Sequence, residues 1–126
     1  MEPISGALYR DRKSKFYAHI YRVSSVDEVD AILKEQRRKY RKARHHCWAY
    51  RINEGGRVME KAHDDGEVGA PGKALLELLR GNDMENHLIV VSRIFGGVKL
   101  GVGGVRRAFV EAGKGAIEEL SRSPSE

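Results

Sequence analysis

The sequence predicts a single two-layer α+β domain with its helices gathered on one face of a sheet. Three observations carry this. Stretches of alternating apolar residues alternate with stretches whose apolar residues recur every three or four positions. The resulting order is β-β-α-β-β-α-β-α, a pattern of locally paired strands with packed helices. The length, 126 residues, suits one core. With 40% hydrophobic and 33% charged residues the chain should be soluble and globular. Residues 1–12 read as a lead-in with a short edge strand, 13–120 as the domain, and 121–126 as a flexible polar tail.

Met1 to Ala7 is expected to pack poorly. Leu8 to Arg10 would form the edge strand, with Asp11 to Ser14 as the turn. In the next strand Tyr17, His19, Tyr21 and Val23 share one face. Ser25-Val-Asp-Glu28 has the spacing of a capping box, and Val26, Val29, Leu33, Gln36 and Tyr40 follow at helical intervals. The end of that helix is strongly basic, with Arg37, Arg38, Lys39, Arg41 and Arg44. One or two cations would satisfy the helix dipole. The surplus is either a solvated face or a patch for RNA or an acidic partner. From His45 to Ile52 a strand places His45, Cys47, Ala49 and Arg51 on one side and His46, Trp48, Tyr50 and Ile52 on the other. Cys47 is either a buried thiol or a nucleophile activated by His45. Asn53 to Gly56 is a hairpin turn, and Arg57 to Ala62 the returning strand. Pro71 should open a short leucine-rich helix that ends before Gly81 as its C′ residue. Leu88 to Phe95 reads as a buried strand, and the last helix, from about Gly104, buries Val105, Ala108, Phe109, Ala112, Ala116, Ile117 and Leu120.

Two loops carry the unusual chemistry. Asp64, Asp65 and Glu67 crowd three carboxylates together and need donors, cations or a metal nearby. Their spacing matches no calcium-binding loop, and no metal or cofactor is expected. Between the last strand and helix lie Gly96, Gly97, Gly101, Gly103 and Gly104, flanked by Arg93, Lys99, Arg106 and Arg107. A strand, a glycine-rich loop and a helix start can present backbone N–H groups to an anion. A tight turn packing a helix on a sheet explains the same glycines. The spacing fits neither the phosphate-loop nor the dinucleotide fingerprint. Charge balance predicts that the two loops meet, with at least one of Asp64, Asp65 and Glu67 paired to Arg93, Lys99 or Arg107.

Net charge is +5 and the pI near 9.5, which favours anionic partners. The lone cysteine fits a reducing compartment, and no apolar run approaches a membrane span, so a cytoplasmic location is expected. No convincing nucleophile and base pair points to an enzyme.

Taken in order, several stretches resemble the IMPACT/YigZ family domain. They are Lys13-Ser-Lys-Phe16, Lys42-Ala43 with His45, Ala49-Tyr-Arg51, Asp64-Asp-Gly-Glu67, and Arg93 with Phe95-Gly-Gly97, Lys99-Leu-Gly101, Gly103-Gly104 and Arg107-Ala108. The resemblance spans about Lys13 to Phe109. Glu67-Val-Gly-Ala-Pro-Gly72 is one residue shorter than the commoner bacterial pattern and looks more like eukaryotic IMPACT. The resemblance implies a ribosomal protein S5 domain 2-like fold with a mixed sheet. It implies a non-enzymatic regulator of translation initiation under amino-acid stress, competing for a stress-kinase activator protein, with the ribosome and actin as further partners. Eukaryotic members carry an RWD domain before this one and bacterial members a ferredoxin-like domain after it; neither is expected within these residues. Direct RNA binding through the basic helix and glycine-rich loop is the second expectation. A phosphate- or metal-dependent enzyme built between the two loops is the third.

Overall fold

The computed structural model describes residues 1–122. The protein is α+β, with five strands and three helices in the order β1 (Ser5–Asp11), β2 (Ser14–Arg22), α1 (Val26–Lys39), β3 (His45–Glu54), β4 (Arg57–His63), α2 (Pro71–Gly81), β5 (His87–Ile94) and α3 (Gly101–Arg122). The sheet order is β1-β2-β5-β3-β4. Every neighbouring pair is antiparallel, where a mixed sheet was implied. β5 is the central strand, and its residues Leu88 to Ser92 are buried on both faces.

Strand alternation divides the core. Phe16, Ala18, Ile20, Cys47, Ala49, Ile89 and Val91 face α2 and α3, meeting Leu75, Leu79, Phe109 and Ala112. Phe16 and Phe109 meet edge to face at 5.1 Å. On the other face Tyr21, Trp48, Tyr50, Leu88 and Val90 pack against Val29, Ile32 and Leu33 of α1. The helices are therefore not all on one face: α1 lies opposite α2 and α3. The reason is apolar alternation on both sides of β2, β3 and β5, since a sheet buried on both faces needs cover on both.

Local signals explain the element ends. The Ser25 capping box forms, with Ser25 Oγ accepting from the Glu28 N–H and Glu28 Oε1 accepting from the Ser25 N–H. Gly55 and Gly56, both at positive φ, close the β3–β4 hairpin in the sense that matches strand twist. The β1–β2 turn uses Arg12 and Lys13 at positive φ, an uncommon choice for residues with a Cβ.

Several expected boundaries move. β1 starts at Ser5 rather than Leu8, and Ile4 and Ala7 pack on the core, so the chain is packed from Ile4 onward and only Met1 to Pro3 precede the fold as a lead-in. α1 stops at Lys39, which leaves Arg41 and Arg44 in the following turn. Gly81 is the last residue of α2, and Asn82 is the C-cap, its side chain donating to the Leu78 carbonyl at 2.8 Å. β5 ends at Ile94, and Phe95 is half exposed. α3 begins at Gly101 and runs through Ser121 and Arg122, which were expected in the tail; residues 123–126 lie outside the described residues. No helix among the described residues is long and apolar enough to cross a membrane.

Beneath the end of α1, His19 Nε2 and the Tyr40 hydroxyl hydrogen-bond at 2.7 Å, and the two rings stack. Burial, helped by the Lys39 charge, lowers the His19 pKa from 6.5 to about 4. The unfolded chain therefore binds a proton that the folded chain refuses between these values. The contribution is fully present above pH 6.5 and is lost as pH falls towards 4. Allowing for solvent screening, it amounts to about 1–2 kcal/mol. His19→Gln can keep a bond to Tyr40 but cannot titrate. In urea unfolding, the variant should lose about 1–2 kcal/mol less than the parent between neutral and acidic pH; equal losses would show that His19 contributes nothing to the acid response.

Candidate functional site

The acidic turn is built by local geometry. The Glu67 N–H donates to the Asp64 carbonyl at 3.0 Å, and Asp65 and Gly66 between them take positive φ. Each carboxylate then finds its own partner. Asp64 Oδ1 accepts from the Gly72 N–H at 2.8 Å, tying the turn to the start of α2. Asp65 Oδ2 accepts from the His46 N–H at 2.8 Å, tying it to β3. Glu67 Oε2 meets Arg93 Nη1 of β5 at 3.1 Å, with both side chains buried. The three carboxylates are turned apart rather than converging. Among the described residues, no group of three His, Cys, Asp or Glu could hold a metal ion.

Glu67 pairs with Arg93, as charge balance predicted, but Arg93 belongs to β5, Asp64 and Asp65 turn elsewhere, and Lys99 takes no carboxylate among the described residues. The acidic turn reaches the start of α3 through Val68 and Gly69. The Arg93 guanidinium lies between the Phe16 and Phe95 rings, 5.6 Å from each centroid. Its Nε is buried without a hydrogen-bond partner. Lys99 and Gly101 line a cleft of about 390 Å³ together with Arg44, His45, Val68, Phe95 and Val102. Arg107 does not take part: it is exposed on α3 and outside the cleft lining. Arg37, Arg38, Lys39 and Arg41 are exposed at the far end of α1 and in the turn after it; of the predicted basic patch, only Arg44 reaches the cleft.

The glycines divide by role. Gly96 has no room for a side chain, because an added Cβ would run into the Lys13 carbonyl group and the Ser14 nitrogen. Its own N–H donates to Ser14 Oγ at 3.1 Å, so this glycine seats the loop on the β1–β2 turn. Gly97 and Gly101 have φ of 92° and 76°. Gly104 faces Leu100, and Gly103 has open space around it. Gly69 was not singled out, yet an added Cβ there would come 2.8 Å from the Val102 carbonyl oxygen of α3.

Cys47 and His45 share a face but do not form a catalytic pair. The Cys47 thiol donates to the Asp64 carbonyl at 3.2 Å, and burial, with the Glu67 and Asp64 charges, pushes its pKa far up. His45 Nδ1 bonds the Asp65 carbonyl at 2.9 Å, so that nitrogen carries the proton, and Nε2 lies 3.9 Å from Glu67 Oε2. Both residues brace the acidic turn.

Sequence reasoning missed the apolar character of the cleft. Val68, Phe95, Val98 and Val102 are all exposed on or beside it. Val102 continues the α3 stripe one turn back from Val105, a signal obscured by placing the helix start at Gly104.

Residues 12–117 match the model of a family described as the Impact N-terminal domain. The chain is 39% identical over 110 residues to IMPACT family member YvyE of Bacillus subtilis, covering 86% of this chain and 49% of the relative. It is 43% identical over 103 residues to a protein IMPACT homolog of Schizosaccharomyces pombe, covering 79% and 35%. Among solved structures it superposes on the two-domain translational regulator Yih1 with a TM-score of 0.60 at 30% identity, covering 93% of this chain and 46% of that one. The chain thus spans about half or less of each of these relatives.

Two outcomes test the site's construction. Arg93→Met would take the guanidinium from the buried Glu67 carboxylate, leaving it the Val68 N–H and the more distant His45 ring, and should cost about 3–5 kcal/mol in urea unfolding. The double variant with Glu67→Leu should recover most of that loss. A cost of only about 0–1 kcal/mol for Arg93→Met would mark an exposed-type pair. Separately, Gly96→Ala should destabilise by about 1–3 kcal/mol by forcing the loop off the β1–β2 turn. Gly103→Ala, with open space in a helix, should be neutral or slightly stabilising. Equal effects at the two glycines would overturn this division.

Proposed function

This chain belongs to the Impact N-terminal domain family, and from that membership we propose that it regulates translation by binding a protein of the translation apparatus, without chemistry of its own. The observation that carries this reading is the exposed apolar cluster beside the family's two signature loops. Val68, Phe95 and Val102 stand in solvent where the acidic turn and the glycine-rich loop meet. A lone domain gains nothing by exposing them together, and such patches mark contact surfaces. The hydrogen bonds of Asp64, Asp65, His45 and Cys47 are all spent on holding that surface in shape. The solved neighbour described as a translational regulator supports the same direction. Within this reading the partner is a translation-associated protein such as a stress-kinase activator, or a protein face of the ribosome. Its setting is amino-acid stress in the cytoplasm, and actin is a further candidate partner.

Direct RNA binding is a second reading, favoured by one observation. Arg37, Lys39, Arg41 and Arg44 are exposed and pair with no carboxylate among the described residues, while Arg38 meets only the exposed Glu35. Phosphate contacts would make binding fall steeply with salt and depend on intact RNA, whereas a protein contact resting partly on apolar surface falls less and survives ribonuclease.

Capture from cell lysate with the immobilised chain, across a salt series, separates the two. Recovery of identified translation factors or ribosomes that persists at moderate salt is expected. Recovery lost in proportion to salt and abolished by ribonuclease would favour RNA, and no translation component at low salt would sink the regulatory reading.

A further inference from the structure

The cleft beside α3 has two kinds of wall. Val68, Phe95 and Val102, exposed to 48%, 49% and 61%, supply apolar surface, with buried Val105 beneath. Arg44 and Lys99 supply positive charge and pair with no carboxylate among the described residues. The cleft also reaches Gly101, the first residue of the 22-residue α3. No side chain among the described residues hydrogen-bonds the first-turn amides of α3, so the positive end of a long helix is open to an anion. Arg93 also lines the cleft, at 8% exposure, but its guanidinium is taken up by Glu67 behind it. At about 390 Å³ the cleft has room for a large apolar side chain and a neighbouring acidic group.

We infer that this cleft binds an acidic peptide segment of the partner protein, seating an apolar side chain against Val68, Phe95 and Val102 and an adjacent carboxylate between Lys99, Arg44 and the first turn of α3. The inference rests on the protein-binding reading above and adds the chemistry of the partner. Charge complementarity selects the occupant: two unpaired cations, Arg44 and Lys99, and a helix N-terminus border an apolar floor, no carboxylate among the described residues lines the cleft, and Arg93 is already committed to Glu67. A basic or purely apolar segment would leave those cations unmatched. A nucleic acid would be expected to use the whole basic run from Arg37 to Arg44, whereas only Arg44 of that run lines the cleft.

The test is an amide chemical-shift titration of the isotope-labelled chain with the blocked peptide acetyl-Asp-Leu-Phe-Glu-Asp-amide. Shifts should concentrate at Arg93, Phe95 and Gly101 to Gly104. The neutral peptide with Asn and Gln in place of the acids should bind about tenfold more weakly, as should the parent peptide to the Arg44→Glu, Lys99→Glu double variant. Val102→Asp should also weaken the peptide, because its own carboxylate would sit at the helix start and its apolar wall would be lost. These three residues are exposed, so the variants should keep the parent's unfolding midpoint. No shifts at these residues, or equal binding of the neutral peptide, would overturn the inference. Tighter binding of an oligouridylate at the same residues would assign the cleft to nucleic acid and overturn it as well. Lysate capture distinguishes the two levels. If the parent chain and Val102→Asp recover the same translation proteins equally, the cleft is not the contact, and the inference fails while the regulatory reading stands. If the parent recovers no translation protein yet the peptide shifts appear as described, the cleft chemistry holds and the regulatory reading fails.

Discussion

The buried ion pair between Glu67 and Arg93 is the contact around which the acidic turn and the cleft beside α3 are arranged. Arg93 sits near the end of the central strand, and Glu67 closes a turn that follows an edge strand. The two segments are joined only through β3, which pairs with β5 at His45 and Arg93 and with β4 at Trp48 and His63, and the ion pair closes the gap beyond the end of β4. A buried charge without its partner is costly, which makes the pair a strong constraint on geometry even where its net contribution to stability is small. Around it the Asp64 bond to the Gly72 amide and the Asp65 bond to the His46 amide fix the turn to α2 and β3. Three carboxylates crowded in sequence are thus each held by a different element, two by backbone amides and one by a guanidinium.

The acidic loop therefore spends its carboxylates on three different segments: the Gly72 amide, the His46 amide and the Arg93 guanidinium. The residues left with unused capacity lie on the other side of the pair, where Lys99, Arg44 and the start of α3 face solvent beside exposed Phe95 and Val102. Glycine makes the approach possible at one decisive place. Gly96 rests its backbone on the Lys13 carbonyl group, so the loop leading into α3 is pinned to the β1–β2 turn.

The second helical layer has a different origin. α1 covers a sheet face rich in aromatic residues and carries a buried polar pair, Gln36 donating to the Tyr21 hydroxyl. Its basic end then projects beyond the sheet, where Arg37, Arg38 and Lys39 remain in solvent. Part of the chain's charge excess lies at this helix end, where Arg38 and Lys39 line a cleft with Met1, Pro3 and Tyr21. Another part lies in the cleft beside α3, where Arg44 and Lys99 stand against exposed Val68, Phe95 and Val102.

Element order, the Ser25 capping box, the Gly55-Gly56 hairpin and the face assignments of β2 and β3 could be read from residues alone, because each depends on neighbours a few positions apart. An ion pair between the acidic loop and one of Arg93, Lys99 and Arg107 could also be anticipated, since unpaired carboxylates and confined cations must find one another. What residue order left open was everything set by long-range packing. A strand apolar on both faces does not say which helix covers which face, so α1 was misplaced. A glycine-rich run does not reveal where a helix begins, so Gly101 to Gly104 read as loop and Val102 escaped notice. Nor can charge counting tell Arg107, which points to solvent, from Arg93, which is enclosed between two rings. Local chemistry is written along the chain, whereas the cleft exists only after β5, the acidic turn and α3 pack, because its walls come from segments distant in sequence.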